Sequence, residues 1–413
     1  MSLTFLTGLP GSGKSTYLIE HVLEAQKQSR PVMTFECSES PWLQADEYVR
    51  DWRLIGSRTA GLHCPLDHFV TSAEAAEILS QTSPETLVAF EEAHYFDPEI
   101  VQSWIDASDR GLEVLVATPS AGQLGRLDGN EYEERKFAVQ CGRCSVREAV
   151  SFLLPPDPEA TGPAPTTTAL CEPCNAEVTA EARKDIIDRL EQGAPYPGEK
   201  TLYQPVELEE CADWQCLRPD SENRFNIMAQ VLRDAGLVAA DPEVEHRSWS
   251  RVTYVDIGCN TGFFCSHARE QLGFYVEGVD VVQADIQLAR LLGSFIRRQK
   301  INYVVADCYE YLRDTRNQAF DVTSAFSVFQ WLMQQRTAQH GIDCIDWLFE
   351  KTDRVCFLEM GYSDEPFYDG KLPLDIDRAW VEERMQRGAF AEVLVFEAAQ
   401  HKLQRDLFVG VKA

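Results

Sequence analysis

The stretch that most constrains this chain is Gly8-Leu9-Pro10-Gly11-Ser12-Gly13-Lys14-Ser15-Thr16, a G-x-x-x-x-G-K-S sequence. It lies between a short apolar run, Leu3 to Leu6, and a helical segment from Thr16 through Glu24. A strand, a glycine loop and a helix in that order form a phosphate-binding loop. The glycines Gly8, Gly11 and Gly13 let backbone N–H groups turn toward phosphate oxygens at a helix N-terminus. Lys14 is placed for the β- and γ-phosphates, the Ser15 hydroxyl for Mg²⁺, and Thr16 closes the loop. The expectation for this end of the chain is an α/β domain that binds ATP with Mg²⁺.

Further along, Pro31 to Phe35 reads as a second strand. Leu87-Val88-Ala89-Phe90 is a continuous apolar run that ends in Glu91-Glu92-Ala93-His94-Tyr95-Phe96. A buried strand that stops in acids places a Mg²⁺ carboxylate and a base beside the γ-phosphate. A helix over Pro98 to Arg110 then leads to another buried strand, Glu113 to Ala117.

Two C-x-x-C pairs follow, Cys141 with Cys144 and Cys171 with Cys174. Four such thiols suit a Zn²⁺ site, and four thiolates leave no open position, so the expected zinc is structural. Leu154 to Thr168, rich in Pro, Thr and Ala, reads as a loop projecting from this zinc ribbon.

The composition narrows the partners. The 413 residues carry a net charge of −28, so the surface repels nucleic acids and anionic membranes. No apolar run is long enough to span a bilayer, and the N-terminal residues lack a signal-peptide pattern. The 13 cysteines read as thiols and metal ligands rather than a disulfide framework. A cytoplasmic enzyme is expected; oligomeric state is not legible.

Taken together, Gly8 to Ser15, Ser57-Arg58 with Gly61, Glu91 to Phe96 and the C-x-x-C pairs resemble the zinc-containing thymidine kinases over roughly residues 1–180. The resemblance implies Glu91 as the metal-side acid, Glu92 as the base that takes the proton from the acceptor hydroxyl, and Arg58 against the transferring phosphoryl group. The Thr118 to Gln123 segment lacks that family's Leu-Asp-x-x-Phe pattern, so phosphoryl transfer is implied but thymidine is not.

Glu181 to Gln192 reads as a closing helix and Gly193 to Gly198 as a linker, which places one domain at 1–192 and a second at 193–413. The second opens on a helical preface, Leu202 to Gly236, with Gln204, Arg218, Arg224 and Asn226. Its organising loop is Val255-Asp256-Ile257-Gly258-Cys259-Asn260-Thr261-Gly262-Phe263, a strand ending in an acid, a glycine turn and a helix from about Phe263. Phe274 to Val279 is a strand ending at Asp280, placed for a ribose diol. D-x-G-x-x-x-G differs from the dinucleotide fingerprint G-x-G-x-x-G.

From about Leu202 to Ala413 the chain resembles class I S-adenosylmethionine-dependent methyltransferases, which are Rossmann-like. That resemblance puts Asp256 and Gly258, with Asn260 and Gly262, against the methionine end of S-adenosylmethionine, and Asp280 on the ribose. It puts Asp307 at the adenine edge beside Cys308, and Ser327 to Trp331 at the methyl-transfer site. Strands are expected at Asn302 to Ala306, from Phe320, and at Arg354 to Leu358, with a closing antiparallel pair at Ala391 to Phe396 and Asp406 to Val411. Glu359, Glu365, Tyr368, His401 and Arg405 are candidate pocket residues.

The Asp256-to-Phe264 loop and Ser327 to Trp331 are similar to methyltransferases of polysaccharide chain-terminating kinase–methyltransferases. This implies a bifunctional enzyme that phosphorylates a small-molecule or saccharide acceptor and then methylates it on the phosphate. Arg218, Arg224 or Arg405 would hold that phosphate, Arg224 first, although a surface position is the default for each. Two other readings stay open: a kinase and a methyltransferase acting on separate positions of a nucleoside-derived metabolite, or a nucleotide sensor gating the methyltransferase.

Overall fold

Short apolar runs, each followed by an amphipathic segment, bury both faces of their strands only in a parallel sheet covered by helices. The computed structural model of the chain shows this arrangement twice. It describes residues 2–9, 12–39, 53–57, 62–119, 132–138, 143–146, 149, 151–153, 168–194, 199–238, 252–297, 301–314, 319–365, 368, 370–397 and 405–412. The chain divides into two compact units, Met1–Ala180 with Pro242–Arg251, and Glu181–Asp241 with Val252–Ala413.

In the first unit six parallel strands lie in the order His68–Val70, Val32–Cys37, Leu87–Phe90, Glu113–Thr118, Ser2–Thr7, Glu133–Lys136. The helix Lys14–Lys27 buries Leu18, Ile19 and Val22. Ile100–Asp109 contributes Trp104 to the same core. Phe90, on a strand buried along its whole length, stacks on Phe35 at 4.6 Å and meets Trp104 at 5.1 Å.

In the second unit seven strands lie in the order Asn302–Val305, Tyr275–Asp280, Thr253–Ile257, Phe320–Phe326, Thr352–Glu359, Leu407–Val411, Glu392–Phe396. The first five run parallel, and Leu407–Val411 is antiparallel to both of its neighbours. Successive side chains alternate between two cores, as the two-residue strand period requires. Tyr254, Phe357 and Val409 enter one core with Phe264 and Val276. Val255, Leu358 and Phe408 enter the other with Phe329 and Ile345. This is a Rossmann-like sheet with helices on both faces.

Two expectations need correction. The preface is α-helical only over Ser221–Asp234, preceded by a 3₁₀ turn at Glu209–Cys211 and a short parallel pair, Thr201–Leu202 with Gln215–Cys216. Pro205 and Pro219 lack the N–H a continuous helix needs. The helix expected from Glu181 begins at Glu172, and its Ile186 and Leu190 pack with Leu202, Leu208 and Trp214. Glu181–Asp241 thus clusters with the second unit. Among the described residues no helix is long and apolar enough to cross a membrane.

Replacing Phe90 with Ala should lower the stability of the first unit by about 3–5 kcal/mol, because the stacked site cannot collapse onto the void. Urea unfolding read by circular dichroism measures this; a loss under about 1 kcal/mol would mean the Phe35–Trp104 core relaxes around the gap.

Candidate functional site

In the second unit the site grows from the turn between Thr253–Ile257 and the helix Phe263–Leu272. Gly258 has φ +75°, and a Cβ there would come within 2.2 Å of the Val328 side chain. Gly262 has φ +78° and caps the helix, and its Cβ would meet the Tyr303 hydroxyl at 2.2 Å. Only glycine fits both positions. Asn260 between them is also left-handed, at φ +51°, and is held twice. Its N–H donates to Asp280 Oδ2 at 2.9 Å, and its Nδ2 to Asp285 Oδ2 at 2.9 Å. Asp280 Oδ1 accepts from the Val282 N–H at 2.9 Å.

Asp285 was not legible as a site residue; its only sequence signal is an acid in the first helical turn after the strand-ending Asp280. Burial, and then the Asp280 charge, push its carboxyl up to about 6.

Two residues assigned to the cofactor have other partners. Asp256 is 1% exposed. Its Oδ1 accepts from Ser324 Oγ at 2.5 Å and its Oδ2 from Cys265 Sγ at 3.8 Å. These bonds tie the end of its strand to Phe320–Phe326 and to the helix that follows the turn. Burial pushes its carboxyl up to about 7, opposed by the Ser324 hydrogen bond and reinforced by the Asp280 charge. Asp307 caps the helix Cys308–Arg313, accepting from Tyr309 N at 3.0 Å and Glu310 N at 3.3 Å, and pairs with Arg336 at 3.0 Å. Cys308 beside it is half-buried.

At the ends of Phe320–Phe326 and Thr352–Glu359 a charged cluster is buried. Glu359 has no exposed surface. It accepts two hydrogen bonds from Arg218 Nη2, at 2.8 and 2.9 Å, pairs with Arg224 Nη1 and accepts from Ser327 Oγ. Burial pushes the Glu359 carboxyl up, but the charges of Arg218, Arg224 and Arg405 outweigh this and hold it below the usual range. Ser327 adopts φ +62°. Its Oγ also accepts from Arg405 Nη1 at 2.6 Å and Arg218 Nη1 at 3.3 Å. Arg405 grips Glu365 with Nε and Nη2, and Nη2 reaches the Tyr368 hydroxyl at 3.2 Å.

The three arginines are 4–6% exposed, so the surface default was wrong for all of them. Arg224 spends its donors on Asp220 at 2.6 Å, the Arg405 carbonyl at 2.9 Å and Glu359. Arg218 and Arg405, not Arg224, converge on Ser327. His401 lies outside the described residues.

In the first unit Lys14 Nζ donates to the Gly8 and Leu9 carbonyls at 3.0 and 3.3 Å. Gly13 caps the helix that Lys14, Ser15 and Thr16 begin. Ser15 Oγ donates to Glu91 Oε1, joining the loop to the end of the Leu87–Phe90 strand. Burial, followed by the charges of Glu91, Asp67 and Glu36, pushes the Cys64 thiol up to about 12. Glu92, left-handed at φ +44°, is exposed, and its carboxylate lies 3.5 Å from His94 Nδ1. Gly11 and Arg58 lie outside the described residues.

Cys144, Cys171 and Cys174 bring their Sγ atoms within 4.8 Å of one another, with Cys144 and Cys171 3.8 Å apart. Thiolates about 2.3 Å from a tetrahedral zinc lie roughly 3.8 Å from each other, so the three fit such an ion. Cys141 lies outside the described residues.

Residues 255–342 match the family model of a methyltransferase domain. The second unit therefore contains a methyltransferase domain on a Rossmann-like sheet. Among solved structures the chain is similar to WbdD, described as a bifunctional kinase-methyltransferase, at 19% identity and a TM-score of 0.43. That match covers 55% of this chain and 46% of the other, so the chain spans about half the length of WbdD. It is also similar to magnesium protoporphyrin IX methyltransferase (ChlM) from Synechocystis PCC 6803, solved with bound SAM. There the identity is 13%, the TM-score 0.37, and coverage 58% of this chain and 97% of that one. A search of the curated proteins found no match.

The buried Asp256 gives a pH test. Its folded value near 7 lies above the ordinary ~3.9, so the stability tied to its protonated form is complete below about pH 4 and lost as pH rises through 7. Asp256→Asn stays neutral throughout. The variant's melting temperature relative to wild type should therefore climb between pH 5 and pH 7.5 or so and then level off. A flat difference across that range in differential scanning fluorimetry would show that Asp256 does not titrate there.

Proposed function

We propose that this chain is a bifunctional transferase. Its first unit transfers the γ-phosphoryl group of ATP to a hydroxyl of a small-molecule or saccharide acceptor. Its second unit then methylates the new phosphate with S-adenosylmethionine. Gly8, Gly11, Gly13, Lys14, Ser15 and Thr16 hold the triphosphate, and Arg58 steadies the phosphoryl group in flight. Ser15 and Glu91, already joined, hold the Mg²⁺, which neutralises developing phosphate charge when bound. Glu92 takes the proton of the acceptor hydroxyl. Gly258, Asn260, Gly262 and Asp280 form the methyl donor's seat. Cys141 joins Cys144, Cys171 and Cys174 around a structural Zn²⁺.

The observation that carries this reading is the convergence of Arg218 and Arg405 on Ser327. Val328, the next residue, touches the donor loop at Gly258. A neutral hydroxyl acceptor needs a base at its side. The carboxylate at this place, Glu359, is held below its usual range by three guanidiniums and is a poor proton acceptor. A phosphate oxygen carries its charge already and needs only alignment with the sulfonium, and guanidinium forks bind it bidentately.

Mass spectrometry of acceptor pools incubated with the protein, ATP and S-adenosylmethionine tests the order of the two steps. Glu92→Gln should lose both phosphorylation and methylation, while retaining ATP binding through Lys14 and the loop amides. Chemically phosphorylated acceptor should restore its methylation. If Glu92→Gln still methylates the bare acceptor at the wild-type rate, the phosphate is not the methyl acceptor.

Zinc should co-purify with the first unit and be visible by elemental analysis. Cys171→Ser should release it and lower that unit's thermal transition, because a closed thiolate site contributes folding free energy. S-adenosylmethionine affinity should not change.

A further inference from the structure

The buried cluster holds two carboxylates that differ in how they are held. Glu359 ends a central strand, has no exposed surface, and is engaged by Arg218, Arg224 and Ser327 together. Glu365 lies in the turn that follows and is 8% exposed. Apart from Arg405, its carboxylate accepts one backbone hydrogen bond among those described, from Tyr362 N at 2.9 Å. Arg405 reaches it with Nε at 2.9 and 3.2 Å and with Nη2 at 2.7 Å. That two-point grip is the geometry in which a guanidinium takes a phosphate.

Charge points the same way. Arg218, Arg224 and Arg405 face Glu359, Glu365 and Asp220 in ion pairs. The cluster is balanced as it stands, so an anion that takes the place of a carboxylate keeps it neutral. Glu359 is locked at a strand end; Glu365 is not. Next to the Arg405–Glu365 pair, fully buried Gln330 donates Nε2 to the Tyr368 hydroxyl at 3.3 Å. Its Oε1 meets no donor among the described residues, an acceptor left over for a ligand hydroxyl. Trp331, 41% exposed, meets Tyr368 edge-on at 5.3 Å, so an exposed aromatic borders the cluster.

We propose that Glu365 is a placeholder for the anionic group of the acceptor: it occupies the Arg405 fork in the empty site and is displaced by a phosphomonoester. This rests on the reading of the second unit as a phosphate methyltransferase. Glu365 then determines specificity. A neutral hydroxyl compound cannot exchange with a carboxylate held by a charge-assisted bidentate pair, whereas a phosphate replaces it charge for charge. Glu365 lies in a turn and not at a strand end, so its displacement exchanges one anion for another in the Arg405 fork.

Calorimetric titration of the full chain with inorganic phosphate and with phenyl phosphate, without ATP or S-adenosylmethionine, tests this. Glu365→Gln should bind both probes at least about tenfold tighter than wild type, the penalty of a site free of its own occupant no more than a tenth of the time. The double variant Glu365→Gln/Arg405→Met should lose that gain. Equal or weaker binding by Glu365→Gln overturns the proposal, as does a gain that survives the loss of Arg405. A gain for inorganic phosphate but not for phenyl phosphate also overturns it, since the site would then take free phosphate and not an ester. If Glu365→Gln unfolds in phosphate-free buffer, recovery of its thermal transition in phosphate supports the placeholder, and no recovery sinks it. Because no methyl transfer is read, loss of this proposal leaves the methylation experiment above intact, and failure of that experiment is seen separately.

Discussion

A carboxylate with no exposed surface stays ionised only if cations come to it, and Glu359 is such a group. Its position at the end of Thr352–Glu359 obliges the chain to deliver Arg218 and Arg224 from the preface and Ser327 from the neighbouring strand end. Removing one member of a buried ion pair strands the other, typically at a cost of 3–5 kcal/mol or so. The preface is thereby fastened to the strand ends by ion pairs, in addition to the packing of Phe225, Met228 and Leu232. The same fastening gathers guanidiniums next to the turn that the donor loop touches. Three guanidiniums and three carboxylates thus meet in one buried cluster.

The donor loop is shaped by contacts a side chain would destroy. Gly258 and Gly262 press against Val328 and Tyr303, so side chains from two other segments of the sheet define the turn as much as its own backbone does. Asp256 and Asp280 share the work of holding it. Asp256 acts from within the sheet through Ser324, and Asp280 acts at the rim through the Asn260 and Val282 amides. Parallel strands place all these ends at one edge, which is why ligand sites in open α/β sheets gather there.

The first unit applies the same rule with a different loop. Its glycine turn sits between an inner strand and a helix, and Ser15 meets Glu91 from a strand two places away in the sheet. The thiols of Cys144, Cys171 and Cys174 converge outside that sheet, with Cys171 and Cys174 buried. Such convergence suits a bound ion that contributes folding free energy.

Much of this was legible in the sequence, because it is encoded locally. Apolar runs marked Leu87–Phe90 to the residue, and the helix after the donor loop begins at Phe263 as its glycines and periodicity indicate. The acids at strand ends and the paired cysteines were visible as spacing. What the sequence could not show is where side chains go once distant segments meet. Asp256 bonds to Ser324 from 68 positions away, and Asp307 caps the helix that follows it. The three arginines looked like surface residues and are buried, because Arg218 finds Glu359 across 141 positions and Arg405 finds Ser327 across 78. Backbone period and turn chemistry are properties of a few neighbouring residues and belong to the sequence alone. Ion pairing in a buried cluster is decided by which strand ends the sheet order brings together, and only the tertiary structure decides that.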